Sequence, residues 1–313
     1  MTIVLADIGG THIRLARLEG NEIKNPEKLL VGDFPDTQSA LTSYCKKPGS
    51  ILIATAAQPD TGGIFHFTNN EKQILDPAAL RGAGWDVKII VNDFAASARG
   101  AIASDRHIVL RKGRADGQSP SAIIGPGTGL GLAYMVPLGN QCWHVQQTFG
   151  GHMKAASVTD EHHFIMKLIR RLYGDERTIV YEDVASGRAL PVLYQAVCMH
   201  NGIQPAYAQA KDMLLHASDA HVKQTLRLFH EFLGLFAHNV VVTGHAFGGL
   251  YIDGGVTQRL YEAGLFDFES FAKFMALKVT PIVIDRLETA PVFMINDPFI
   301  ALRGLAEMVK DGV

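Results

Sequence analysis

Apolar and polar positions alternate along the chain in a way that sets out its first elements. Thr2-Ile3-Val4-Leu5-Ala6 predicts a buried strand and Gly9-Gly10-Thr11 a turn. Beyond the turn, His12, Ile13, Arg14 and Leu15 alternate polar and apolar, the period of a strand and not of a helix. The glycines therefore belong to a strand–turn–strand hairpin. A dinucleotide fingerprint or a Walker-type phosphate loop needs a helix after its glycines, so both are excluded.

The same design returns downstream. Ala122-Ile123-Ile124 is apolar, Gly125-Pro126-Gly127-Thr128-Gly129 is a turn, and Leu130-Gly131-Leu132-Ala133-Tyr134 resumes as a strand. Superposing Thr11 on Thr128 also matches Gly10 with Gly127, Leu15 with Leu132 and Ala16 with Ala133. Two glycine-threonine hairpins heading two halves suggest a duplicated domain, each half offering a turn to one end of a phosphate chain.

Between the hairpins, Ile51-Leu52-Ile53-Ala54 and Val87-Lys88-Ile89-Ile90-Val91 read as strands, the second ending at Asn92-Asp93. Phe94 to Ala103 is alanine-rich and predicted helical, with Asp93 or a neighbour at its start. Arg111 to Ser121, polar and rich in Gly and Ser, is the best linker candidate. Later, Phe164, Leu168 and Leu172 share a helix face that Gly174 would stop. Val222, Leu226, Phe229, Leu233, Phe236 and Val240 step by four and three, which predicts a long helix with a buried stripe. Leu250-Tyr251-Ile252 is a strand running into Asp253-Gly254-Gly255, with a helix expected from Val256 to Ala263 and a terminal helix over Pro298 to Lys310.

Composition narrows the class. At 313 residues the chain is long for one core, so two domains are expected. The expected division is 1–115 plus 297–313 for a small N-terminal domain and 116–296 for a large C-terminal one. Hydrophobic residues make up 47% and charged residues 19%, a globular balance, and the net charge is −2. With no basic excess, neither nucleic acid nor an anionic membrane is an expected partner. Cys45, Cys142 and Cys198 lie far apart, as reduced thiols in a cytoplasmic protein would. The first residues lack a signal-peptide pattern and no apolar run is long enough to span a bilayer.

The chemistry-bearing residues cluster at strand ends. Glycines let backbone N–H groups approach a phosphate, the threonine hydroxyl adds a donor, and Asp7 at the strand end can hold Mg²⁺ through water. Alone, Asp7-Ile8-Gly9-Gly10-Thr11 is barely distinguishable from an ordinary tight hairpin; paired with Gly127-Thr128-Gly129 it favours phosphate binding. Asp93 can take a proton from an alcohol while Asn92 fixes it, although an isolated Asn-Asp pair more often just caps a helix. His152, after Gly150-Gly151, can hydrogen-bond a sugar hydroxyl, and Glu182 can be a first-turn carboxylate; both also have plain structural readings. Glu161-His162-His163 looks like a set of metal ligands, but adjacent helical histidines face different ways, which favours a solvated face.

Taken in order, Asp7-Ile8-Gly9-Gly10-Thr11, Val91-Asn92-Asp93-Phe94, Gly125-Pro126-Gly127-Thr128-Gly129-Leu130-Gly131, Gly150-Gly151-His152 and Asp253-Gly254-Gly255-Val256 resemble the bacterial glucokinase family. Phe67-Thr68-Asn69-Asn70 and Glu182-Asp183-Val184-Ala185-Ser186-Gly187 add smaller echoes, and the likeness runs from Leu5 to about Gly304. The resemblance implies the two-domain actin–hexokinase (ribonuclease H-like) α/β fold with an interdomain cleft, and ATP-dependent transfer of the γ-phosphate to a hexose 6-hydroxyl. It implies Asp93 as base and Asn92, His152, Glu182 and Asn69 as sugar contacts. Asp7 would sit near Mg²⁺; Gly9, Gly10, Thr11, Gly127, Thr128 and Gly129 would hold ATP, with Gly254 and Gly255 beside the adenosine. The zinc-binding cysteine cluster of the related repressor/kinase group and a basic helix-turn-helix ahead of Thr2 are both missing, and a homodimer is left open.

The run Thr148-Phe149-Gly150-Gly151-His152 departs from the family's Gly-Glu-Gly-Gly-His, whose Glu accepts hydrogen bonds from two sugar hydroxyls. Phe149 accepts none, and Met153-Lys154-Ala155 replaces the Asp and Phe usual after the histidine. The phosphate residues are thus intact while the sugar floor is altered, and a shifted sugar preference is expected. A sugar- or nucleotide-sensing protein without turnover is the alternative, and an actin- or chaperone-type ATPase a weaker third.

Overall fold

A computed structural model describes residues 2–67, 70–139, 142–278 and 280–311. The chain divides into two compact units, one comprising Met1–Arg106, Leu138–Gln147 and Asp297–Val313, the other His107–Pro137 and Thr148–Asn296.

The first unit is built on β1 (Thr2–Ile8), β2 (His12–Glu19), β3 (Glu22–Leu30), β4 (Ser50–Thr55) and β8 (Asp86–Asn92), ordered β3-β2-β1-β4-β8. A small sheet of β5 (Gln58–Pro59), β6 (Phe65–Phe67) and β7 (Asn70–Leu75) lies between β4 and β8 in sequence. β1 and β2 form the predicted antiparallel hairpin, whereas β1, β4 and β8 run parallel. Both faces of this sheet are buried, as parallel strands require. Val4, Ala6, Ile8, Ile13 and Leu15 pack on one face with Leu41, Leu80 and Trp85. Leu5, Ala16, Leu18, Leu52 and Ala54 pack on the other with Ala301, Leu302 and Leu305. Each such Leu or Ile, fully withdrawn from water, contributes about 1.5–3 kcal/mol.

Two helices of this unit, Asp93–Ala103 and Ile300–Lys310, meet through glycines. A Cβ on Gly304 would lie 1.8 Å from the Ala96 carbonyl oxygen, and one on Gly100 would lie 2.2 Å from that of Ile300. Only hydrogen fits at this crossing. Buried Arg99 adds a fork onto Asp311, with Nε at 2.8 Å and Nη2 at 3.0 Å. The helix that begins at Asp93 is therefore held rigidly along its length.

The second unit repeats the design. Its strands are β9 (His107–Arg111), β10 (Ser121–Pro126), β11 (Leu130–Gly139, up to Pro137), β13 (Gly249–Ile252) and β14 (Val292–Ile295), whereas β12 (Cys142–Thr148) falls, up to Gln147, in the first unit. The five run in the order β11-β10-β13-β14-β9. β10 pairs antiparallel with β11 and parallel with β13, and β13 parallel with β14. Antiparallel, parallel, parallel is also the sequence from β2 through β1 and β4 to β8, so the duplication suggested by two hairpins extends to topology. The 24-residue helix Ala220–Thr243 forms the core, its predicted stripe of Val222, Leu226, Phe229, Leu233, Phe236 and Val240 all buried.

Three local expectations are overturned. The segment Arg111 to Ser121 is not a loose linker: Arg111 donates to the carbonyls of Leu287 (2.7 Å) and Ala290 (2.8 Å), Arg114 N–H to Thr289, and Asp116 pairs with Arg286 at 2.7 Å. Its polarity serves the carbonyls ending the Pro281–Thr289 helix, and β9 joins the second sheet, which draws the boundary back to Arg106/His107. In the helix Asp160–Tyr173, Phe164 and Leu172 are exposed, and Ile165, Leu168 and Ile169 supply the buried face. His162 is not solvated. Its ring is buried against Phe232 and Phe274, and Nε2 bonds Glu231 at 2.7 Å. Glu161 turns to Arg227 at 2.7 Å, so Glu161 and His162 tie the helices together, while His163 is exposed as expected. Among the described residues no group of three His, Cys, Asp or Glu is placed to hold a metal, and no helix is long and apolar enough to cross a membrane.

Candidate active site

The expected site residues of the first unit gather at the C-terminal ends of its parallel strands, where open α/β sheets place ligands. Register aligns Ile8 of β1 with Thr55 of β4, and Thr55 with Asn92 of β8. Two inter-strand steps thus separate Asp7-Ile8 from Asn92-Asp93, on the order of 10 Å at ~4.8 Å per step. In the turn, Gly9 N–H closes onto the His12 carbonyl at 2.9 Å, and Thr11 is exposed at the tip.

Asn92 is the helix cap: its Oδ1 accepts from Phe94 N–H (3.0 Å) and Ala95 N–H (3.3 Å). That occupies its oxygen and leaves its amide donors to face a ligand. Asp93, first residue of the helix, has Oδ1 on Phe94 N–H at 2.7 Å and is half-buried. An acid in the first turn is favoured by the helix dipole in its ionised form, the form a base needs.

Asp7 has a partner that sequence reasoning missed. Register places Arg14 directly across the hairpin, and its Nη1 reaches Asp7 Oδ2 at 2.7 Å. Burial nevertheless pushes the Asp7 carboxyl above its ordinary range, with Arg14 opposing. Its anion is therefore under-compensated, and a further cation suits it. One carboxylate with one oxygen already engaged fits an ion that arrives on phosphates and keeps its water, not a dedicated protein cage.

In the second unit the residues converge on Leu130, at the mouth of the other hairpin. Gly127 N–H closes the turn onto the Gly129 carbonyl at 3.0 Å. Gly187 N–H donates to the Gly127 carbonyl at 2.8 Å, bracing the turn from behind. Glu182 Oε2 accepts Leu130 N–H at 2.9 Å and Oε1 binds Arg188 at 2.9 Å, so the carboxylate is already held at this turn. A Cβ on Gly151 would strike the Leu130 carbonyl at 2.1 Å, so the Gly150–His152 turn lies directly on β11. Thr148 Oγ1 pins it by accepting Gly150 N–H at 3.0 Å. From this seat His152 is exposed, and Phe149, 79% exposed, has its ring 6.3 Å from the imidazole.

Asp253-Gly254-Gly255 reaches the same hairpin. Asp253 N–H bonds the Ile124 carbonyl at 2.8 Å, and a Cβ on Gly254 would meet the Pro126 oxygen at 2.4 Å. Gly255 opens the helix Gly255–Glu262 and has free space where a side chain would stand. Asn69 lies outside the described residues.

Each unit thus presents a glycine-threonine turn at the C-terminal ends of its parallel strands, one with two carboxylates beside it and one with a glycine-lined turn, a glutamate and a histidine. Residues 4–312 match a family model described as Glucokinase. The chain belongs to the glucokinase family. A glucokinase from Pseudomonas paraeruginosa is 33% identical over 270 residues, 83% of this chain and 78% of its own length. The crystal structure of a glucokinase from an Antarctic psychrotroph superposes with a TM-score of 0.82 at 28% identity, covering 99% of each chain. A more distant glucokinase of the ROK family, from Streptomyces griseus, solved with glucose and AMPPNP, shares the fold at a TM-score of 0.60 and 16% identity. The glucokinase-family chain is thus a sugar kinase, a phosphotransferase to an alcohol, with the actin–hexokinase fold.

Arg14 and Arg188 are the residues a linear reading missed. Arg14 was recoverable, because a hairpin closing through Gly9 to His12 pairs positions 7 and 14. Arg188 gives no such signal; it reaches the turn only because Ser186-Gly187 folds back onto Gly127.

Proposed function

We propose that this chain transfers the γ-phosphate of ATP to the 6-hydroxyl of a hexose, with Asp93 as the base. As the hydroxyl oxygen attacks the γ-phosphorus, its proton passes to Asp93 Oδ2, the bond to the β–γ bridging oxygen breaks, and ADP leaves. Asn92, with its oxygen committed to the helix cap, offers its amide to the sugar. His152 and Glu182 serve the anomeric side, and Asn69 is a further contact. The turns Gly9-Gly10-Thr11 and Gly127-Thr128-Gly129, with the N–H groups of Gly9 and Gly127 spent on closing them, receive the phosphates, and the open space at Gly255 suits the adenosine. Bound Mg²⁺, held through water at Asp7, would neutralise phosphate charge. Phosphoryl transfer needs chiefly alignment and charge neutralisation, which this inventory supplies.

The observation that carries the reading is the placement of Asp93: half-buried, first in a helix locked by the Gly100–Gly304 crossing, at the end of the strand two steps from Asp7. Sugar-dependent ADP release is the direct test. Asp93→Ala should lower kcat by roughly 10²–10⁴, the usual contribution of a positioned base, while ATP binding persists. Undiminished turnover in that variant removes Asp93 from the role.

A further inference from the structure

The second glycine turn carries a cation that its sequence motif does not contain. Arg188 Nε donates to the Thr128 carbonyl at 3.2 Å, and its Nη2 binds Glu182 Oε1 at 2.9 Å. Its own backbone N–H also points at the Thr128 carbonyl, at 3.4 Å. Glu182 is anchored in turn by Leu130 N–H, the first amide after the turn. Gly129 makes room for this arrangement, since a Cβ there would lie 2.5 Å from Glu182 Oε2.

We propose that Arg188 is a contact for the nucleotide's phosphates, seated on the Gly127–Gly129 turn by Thr128 and Glu182. The proposal rests on the reading of that turn as a phosphate-binding hairpin.

The arrangement is poorly explained as a stability device. The Arg188 side chain is 66% exposed although anchored at two points, and exposed ion pairs add little to stability. An arginine presents five N–H donors in a fixed fork, and two of them are committed to Thr128 and Glu182. The remainder face outward beside a turn whose Thr128 is exposed. A planar guanidinium held at its root is pre-organised for a phosphate and loses less rotamer freedom on binding than a free one. Glu182 is the positioning group: it fixes the fork and balances its charge while no ligand is bound. The nucleotide brings several negative charges to this spot, and a fixed cation there also helps carry the charge of the transition state.

The test compares binding of ATP, ADP and AMP by titration calorimetry to the wild type, Arg188→Ala and Arg188→Lys, with steady-state KM values for ATP and for sugar. Loss of one charge-assisted contact should weaken ATP by about 10- to 100-fold in Arg188→Ala. The loss should shrink as phosphates are removed, AMP being least affected; because Arg188 also holds Glu182, a proposed sugar contact, the ranking of the nucleotides and not the sugar KM decides the test. Arg188→Lys should recover part of the ATP affinity, because it keeps the charge but not the fork. Equal weakening of all three nucleotides, or none, would overturn the proposal and leave Arg188 as a brace. Thermal melting of each variant checks folding; if Arg188→Ala melts early, Arg188→Lys and Arg188→Gln carry the same comparison. Failure of the underlying kinase reading is distinguishable, since the wild type itself would then release no ADP in response to any sugar.

Discussion

Replacing Phe149 by glutamate should make glucose a better substrate. Phe149 is 79% exposed and precedes the Gly150–His152 turn with φ −98° and ψ 40°, negative-φ backbone that constrains phenylalanine and glutamate alike, so the exchange adds no backbone strain. Its ring touches no core cluster, so the change should alter folding by no more than about 0.5 kcal/mol. The turn beneath it is fixed by Thr148 and seated on Leu130, so a new carboxylate would start from a defined root. The family glutamate accepts from two sugar hydroxyls, and a hydrogen bond to a charged acceptor is worth about 1.5–3 kcal/mol. Taking the low end for both, because carboxylate and sugar are well hydrated before they meet, gives about 3 kcal/mol. That corresponds to roughly 10²-fold in kcat/KM. The assay is ADP production with glucose for wild type and Phe149→Glu, run beside a panel of hexoses. A flat response to glucose would refute the placement of Phe149 against the sugar ring. A gain for every hexose alike would refute its part in choosing among them.

Two further outcomes follow from the structure. His230 is buried with Nδ1 donating to the Leu226 carbonyl at 2.7 Å and Nε2 accepting Asp267 N–H at 3.3 Å, an arrangement only the neutral ring can make; burial pushes its pKa down to about 4. With the unfolded value near 6.5, its contribution is fully present above that pH and is lost as pH falls toward 4, about 3 kcal/mol in all. Urea melts across this range should show a shallower pH slope for His230→Gln than for wild type; identical slopes would rule out this histidine as the source. At the helix crossing, Gly304→Ala sets a methyl 1.8 Å from the Ala96 oxygen and should cost about 1–3 kcal/mol, lowering Tm by several degrees. An unchanged melting curve would mean that the two helices part without penalty.

The two hairpins, the strand end at Asn92-Asp93, the central helix and the duplicated order of elements were all written locally. A turn needs glycine where the backbone bends, a strand shows period two and a buried helix a stripe, so neighbouring residues suffice to reveal them. What could not be read locally was which polar side chains meet. His162 in Asp160–Tyr173 finds Glu231 on another helix, and Arg111 finds carbonyls far along the chain, because a buried polar group must be satisfied by whatever folding brings beside it. Phe164 and Leu172 looked like core by spacing, yet the neighbouring helix Ala189–His200 set the buried face one residue over. Arg188 belongs to the same class. Its place at the Gly127–Gly129 turn follows from the fold-back of Gly187 onto Gly127, a contact between residues sixty apart that no local pattern encodes.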